Sequence, residues 1–256
     1  MKRQRFIDGI FNYCDRWCER CSHTKVCRVY WDEHRADKRH ERRGEDPRDW
    51  DVAAKDIARS FEKTARLLQR WAKEQGIDFE KFREEALAAP PPPDYKAEEH
   101  PLCVEGMRYM KQCGELLEAL HKVFNEARED TAQRAAIMDV QREADMLVKV
   151  RDAAVVLGWD HTIVAVKTHR AMEGCLEKQA DPASEVVGDA EGTAAVVLRC
   201  LDRDKLALLA VYEWDEQFQN AAIDLLACAE RISRGLKQLI PGSTTFVWPP
   251  TQEETT

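Results

Sequence analysis

The chain has 256 residues, of which 44% are hydrophobic and 34% charged, with a formal net charge of -8. An acidic excess disfavours generic attraction to phosphate, and 11 glycines are too few for a many-turned all-β fold. No apolar run approaches the roughly 18 to 20 residues that span a bilayer, so no membrane association is expected. The charge is uneven: residues 1–45 hold twelve Lys or Arg against eight Asp or Glu, a net +4, so the remaining 211 must carry -12. The basic opening "MKRQRFIDGIFNYCDRW" is interrupted by Asp8, Asn12 and Asp15 and does not read as a signal peptide. A cytoplasmic, reducing location is expected, where clustered cysteines more often bind metal than form disulfides.

Helical periodicity runs through the sequence in chain order. Ile7, Ile10, Phe11, Cys14, Trp17 and Cys18 fall on one stripe and predict an N-terminal helix. "DEHRADKRHERRGE" has almost nothing apolar and reads as an exposed loop or frayed helix. "DPRDW" reads as a helix start with Asp46 as cap and Pro47 at the first position, continued by Ala53, Ile57, Phe61, Thr64, Leu67, Leu68 and Trp71 and ended by Gly76. "FEKFREEAL" adds a short helix, and the four prolines 90–93 form a connector of roughly 12 Å if polyproline II. One helix then carries Cys103 to Phe124, and the next, capped by Asp130, carries Ile137 to Val155. "GWDHTIVAVKTHRAMEGCL" continues it through Gly158 with a kink, and "DPASEVVGDAEG" is a loop. Two more helices, Ala194 to Tyr212 and Phe218 to Leu239, precede an extended tail that packs Phe246 and Trp248 onto the body. The expected class is an all-α multi-helix bundle. Its divisions are an N-terminal helix and cysteine-rich segment at 1–45, a bundle at 46–240 and a tail at 241–256.

The chemistry-bearing stretch is "NYCDRWCERCSHTKVCRVY", which places Cys14, Cys18, Cys21 and Cys27, four of nine cysteines, in fourteen positions. Composition alone predicts about half a cysteine in such a window. One or two would pass as small core residues, but after Cys21 the pattern turns polar, "SHTK", and no apolar stripe continues. A four-thiolate metal site is expected. Residues four apart on a helix have β-carbons roughly 5 to 6 Å apart, so Cys14 and Cys18 can share a centre. Cys21 would lie roughly 10 Å from Cys14 along a continuous helix, so the helix must stop near Cys18 or Glu19. Only Cys18 and Cys21 form a zinc-type pair, and a 4Fe–4S cube tolerates irregular spacing better, so the expected cofactor is 4Fe–4S with zinc as the alternative.

"CERCSHTKVC" resembles the C-x2-C-x5-C ending of the iron–sulfur loop in helix-hairpin-helix DNA glycosylases. There the first cysteine lies six residues upstream of the second, whereas here only three residues stand between Cys14 and Cys18. The resemblance covers about fourteen residues and implies a cluster type, not an activity. "FNYCDRWCERC" is also similar to uncharacterised bacterial helical proteins, which implies no function. The C-x3-C-x2-C spacing of Cys14, Cys18 and Cys21 resembles that of radical S-adenosylmethionine enzymes, but the βα alternation of those barrels is missing.

Trp17, Tyr13 and Trp31 are expected to shield the sulfurs, and Arg16, Arg20, Lys25 and Arg28 to offset thiolate charge. His161 and His169 lack the Glu-x-x-His pairs of a dimetal bundle, Glu99 and His100 read as helix-start residues near Cys103, and Cys113, Cys175, Cys200 and Cys228 as core or flank residues. The function expected is metal binding in a structural, electron-transfer or redox-sensing role, with a redox or protein partner at the basic segment. Nucleic-acid binding through a basic zinc or cluster module, or a bundle enzyme, is the alternative. No catalytic residue is assigned.

Overall fold

The computed structural model describes residues 6–88, 94–134, 140–181 and 187–249, with the side chains of 126–134, 140–144 and 187–188 outside the description. Prolines 90–93, expected as a connector, lie outside the described residues. The described residues form seven α-helices and short 3-10 turns, with no strand among them. No helix among them is long and apolar enough to cross a membrane. The chain divides into two compact units, Met1–Phe6 with Ser22–Pro93, and Ile7–Cys21 with Asp94–Thr256.

The first unit holds α1 (Arg28–Arg43), α2 (Trp50–Glu74) and α3 (Phe79–Ala88). α1 covers most of the charged stretch expected as loop or frayed helix. It has no apolar stripe to reveal it; i,i+4 pairing of Arg28 with Asp32 supports it, and Gly44 at φ 67 ends it in the left-handed conformation. Its last turn is tied down by His40, whose Nδ1 and Nε2 lie 2.7 Å from Glu45 and 2.7 Å from Asp56. Those two hydrogen bonds raise the His40 pKa against the opposing effect of burial, favouring an imidazolium that donates to both carboxylates. α2 begins later than expected. Asp49, not Asp46, is the cap, accepting from the N–H groups of Asp51 and Val52, while Asp46 accepts from Arg48 N in the preceding turn. Buried residues are scarce in this unit: His40 and Ala72 are the ones among those described.

The second unit is a four-helix bundle of α4 (Pro101–Arg134), α5 (Val140–Ala180), α6 (Val187–Trp214) and α7 (Gln219–Leu239). α5 packs on α4 and α6, and α7 closes the circuit against both α6 and α4. Long apolar stripes supply the core, with Leu120, Leu157, Met172, Leu201, Leu208, Leu225 and Ile232 fully buried. Gly106 on α4 faces α5 at ordinary van der Waals distance, an added Cβ there standing 3.5 Å from Ala165 Cα. Asp130, expected to cap a new helix, lies within α4. α5 runs through Gly158 as one helix, the continuation expected there. The tail begins with a 3-10 turn at Pro241–Thr244 rather than extended chain.

The expected N-terminal helix is absent. Residues 8–14 form turns and a bend, with Gly9 at φ 71, and the stripe that suggested a helix is used differently: Ile10 and Trp17 are buried in the second unit while Phe11 is exposed. Turns can satisfy the same apolar spacing when a bundle lies beneath to receive the side chains.

Candidate functional site

Residues 7–21 run as a strap over the second unit. Its backbone carbonyls are held by side chains of the bundle and tail: Trp248 Nε1 donates to Ile10 O at 2.8 Å, Arg199 to Tyr13 O at 2.8 Å, and Trp159 Nε1 to Asp15 O at 3.0 Å. Trp17 stacks on Trp159 with ring centroids 5.3 Å apart and planes at 17°, and the guanidinium groups of Arg20 and Arg203 lie over the Trp17 ring. Tyr13 meets Phe246 edge to face at 4.9 Å. Arg20 pairs with Asp152. Arg16 has φ 60, a left-handed residue that costs a non-glycine strain, and the Cys18 N–H closes a tight turn on its carbonyl at 3.0 Å.

Beneath the strap the anchorage continues into the core. Arg203 donates to Asp15 and, through two nitrogens, to the fully buried Asp160. Burial works against the Arg203 charge, but its hydrogen bonds to Asp160 and Asp15 and the nearby Cys200 hold the proton more firmly than usual. Next to it Asp204, also fully buried, accepts from the Tyr109 hydroxyl at 2.8 Å, and its other oxygen has no hydrogen-bond partner. Burial, then the Asp160 charge, push Asp204 up to about 8, so it keeps its proton at neutral pH.

The four expected ligands fall in non-helical chain. Cys14 sits in a bend, Cys18 opens the 3-10 turn Cys18–Arg20, Cys21 follows it, and Cys27 follows the 3-10 turn Thr24–Val26 and caps α1. All four are half-buried. Cys14, Cys18 and Cys21 belong to the second unit and Cys27 to the first. Among the described residues no group of three or more His, Cys, Asp or Glu is disposed to hold a metal ion. Of the expected shielding residues, Trp17 is buried and Tyr13 half-buried on the strap, whereas Trp31 is on α1 beside Phe6 at 5.9 Å, with Arg28 and Arg35 over its ring.

Cys14 borders two adjoining clefts of the second unit, about 480 and 370 Å³, that share Cys14, Arg16 and Lys167. The first also meets Arg170, which makes a two-pronged pair with Asp189 at 2.7 and 2.8 Å. Burial, then Arg170, lower the Lys167 pKa, and the Cys14 side opposes them. The first thiol of the motif thus shares its clefts with Arg16, Lys167 and Arg170.

Of the remaining five cysteines, Cys103, Cys113, Cys200 and Cys228 are buried in the bundle and Cys175 is half-buried on its flank, with burial as the main cause pushing Cys103 and Cys228 up to about 11. His100 presents Nδ1 to Leu102 N at 3.2 Å at the α4 start, and His161 lies against Leu157 O at 3.1 Å. The sequence reading missed Asp15, Asp160, Arg199, Arg203 and Asp204. For three of the five the signal lies in "RCLDRD", where Arg199, Arg203 and Asp204 interrupt the long apolar helix α6. No family model, curated protein or solved structure matches the chain.

Proposed function

We propose that this is a metal-binding helical protein in which Cys14, Cys18, Cys21 and Cys27 are thiolate ligands of a 4Fe–4S cluster, with zinc as the alternative, in a structural, electron-transferring or redox-sensing role. The observation that carries this reading is the non-helical course of Cys14 to Cys27, two 3-10 turns in succession where a continuous helix would hold Cys14 and Cys21 apart. The thiols as placed are not a ligand group, so loading has to draw them together, in keeping with the general coupling of metal binding to local folding. A cluster supplies one-electron chemistry or a covalent staple. The chain's own residues supply the rest: Trp17, Trp159 and the carbonyl anchors fix the strap, and Arg16 and Lys167 line a cleft with Cys14, where they would offset the charge of a ligating thiolate.

The test is purification without oxygen, followed by an absorption spectrum and iron, sulfide and zinc analysis. A broad band near roughly 400 nm with iron and sulfide in cluster ratio is expected. Stoichiometric zinc without colour selects the alternative. A chain that binds neither metal under anaerobic reconstitution ends the proposal.

A further inference from the structure

The least satisfied surface of the chain is on α2, and it has a pattern. Trp50, Ile57, Thr64 and Trp71 recur every seven residues, and Ala54, Phe61 and Leu68 recur every seven between them, so the set alternates by four and three along the whole helix. That is a heptad seam, the period at which one helix packs along another. Between residues 54 and 73 every charged side chain lies on the positions away from the seam, and the flanking positions hold Ala58, Ala65, Ser60 and Leu67. No like charges would meet if two such faces came together, and the alanines allow close approach.

The seam is uncovered. Trp50 is 78% exposed, Phe61 72%, Trp71 54% and Ile57 52%, with Leu67 and Leu68 about half exposed. These six side chains together offer roughly 700 Å² of accessible surface, close to the about 800 Å² that each partner buries in a standard interface.

We propose that this face is covered by the same face of a second copy, the two α2 helices running antiparallel. The direction follows from side-chain size. With Phe61 opposite Thr64 of the second copy, Ile57 meets Leu68 and Ala54 meets Trp71, so each layer joins a larger residue to a smaller one or two of similar middle size. In the parallel arrangement Trp71 would meet Trp71, Phe61 would meet Phe61 and Ala54 would meet Ala54, alternating overpacked layers with voids. The inference is independent of any metal at the cysteines.

Light scattering coupled to size exclusion on the full chain at tens of micromolar tests it. The natural chain elutes as a dimer, and Ile57→Glu and Leu68→Lys each elute as monomers. Mixed in equal amounts, the two variants restore a dimer, because the antiparallel register sets Glu against Lys in one layer and leaves Leu against Ile in the other. A parallel pair sets residue 57 against 57, so mixing places Glu against Ile and Lys against Leu, two buried charges without opposite partners, and does not restore the dimer. A monomeric natural chain, a dimeric single variant, or a mixture that stays monomeric overturns the proposal; restoration on mixing also shows that neither variant is simply unfolded.

Discussion

Asp204 is buried beside a second buried carboxylate, Asp160, and Arg203 pairs with Asp160 rather than with Asp204. Its proton is therefore part of the fold. In the unfolded chain an Asp titrates near about 3.9, whereas in the fold this one titrates at about 8. A raised folded pKa means the folded state binds the extra proton between those values, so this contribution is fully present below about pH 4 and declines as pH rises, gone above about 8. Thermal midpoints measured from pH 6.5 to 9 should fall for the natural chain and fall less for Asp204→Asn, which keeps the Tyr109 hydrogen bond without a charge to bury. Parallel curves for the two proteins would show that the carboxyl is not what titrates. The interruption of an apolar helix by "LDRDK" is legible in the sequence, but nothing there says which of its two acids, Asp202 or Asp204, faces inward.

Among the elements, the strap depends most on a small residue. Gly192, near the start of α6, is overlain by Tyr13, and a Cβ there would stand 2.4 Å from the ring. Tyr13 is also held by Phe246 and, through its carbonyl, by Arg199, so the ring cannot move aside without loosening those contacts. Gly192→Ala should cost about 1–3 kcal/mol of stability, the usual range for overpacking. The same change beside a less restrained side chain would be mild or even helpful through helix propensity. Chemical denaturation of Gly192→Ala beside Gly114→Ala, a glycine of α4 with open space around it, separates the two effects; equal midpoints would mean that Tyr13 yields freely. The helices of the bundle were legible because each buries a long stripe, and α5 could be followed through Gly158 on that basis. The sequence leaves α1 open between loop and frayed helix and suggests a helix for the strap, for opposite reasons. α1 buries too little to leave a period, and its helix rests on ion pairs and the His40 clasp. The strap has a helix-like period because bundle side chains receive Ile10 and Trp17 from a series of turns. The cysteine spacing was legible in full, yet of the cations bordering the Cys14 clefts only Arg16 is near it in sequence; Lys167 and Arg170 come from α5, some 150 residues away along the chain, and only folding brings them there.

At the scale of the whole molecule, the two units differ sharply in what stabilises them. The second has a contiguous apolar core drawn from four helices, whereas the first buries His40 and Ala72 among its described residues and leaves the α2 seam open. Hydrophobic burial is the main term that offsets chain entropy, so the first unit has little internal means of holding α2, and the proposed pairing of two copies would supply it. Heating should therefore give two calorimetric transitions. The lower belongs to the first unit and rises with protein concentration, since dimerisation stabilises by mass action; the upper belongs to the bundle and does not move with concentration. Substitutions sort accordingly: Ile57→Glu lowers the first transition alone, and Asp204→Asn or Gly192→Ala moves the second alone. A single concentration-independent transition shifted by both kinds of substitution would mean that α2 is stabilised within its own chain, and would count against the dimer as the source of its stability.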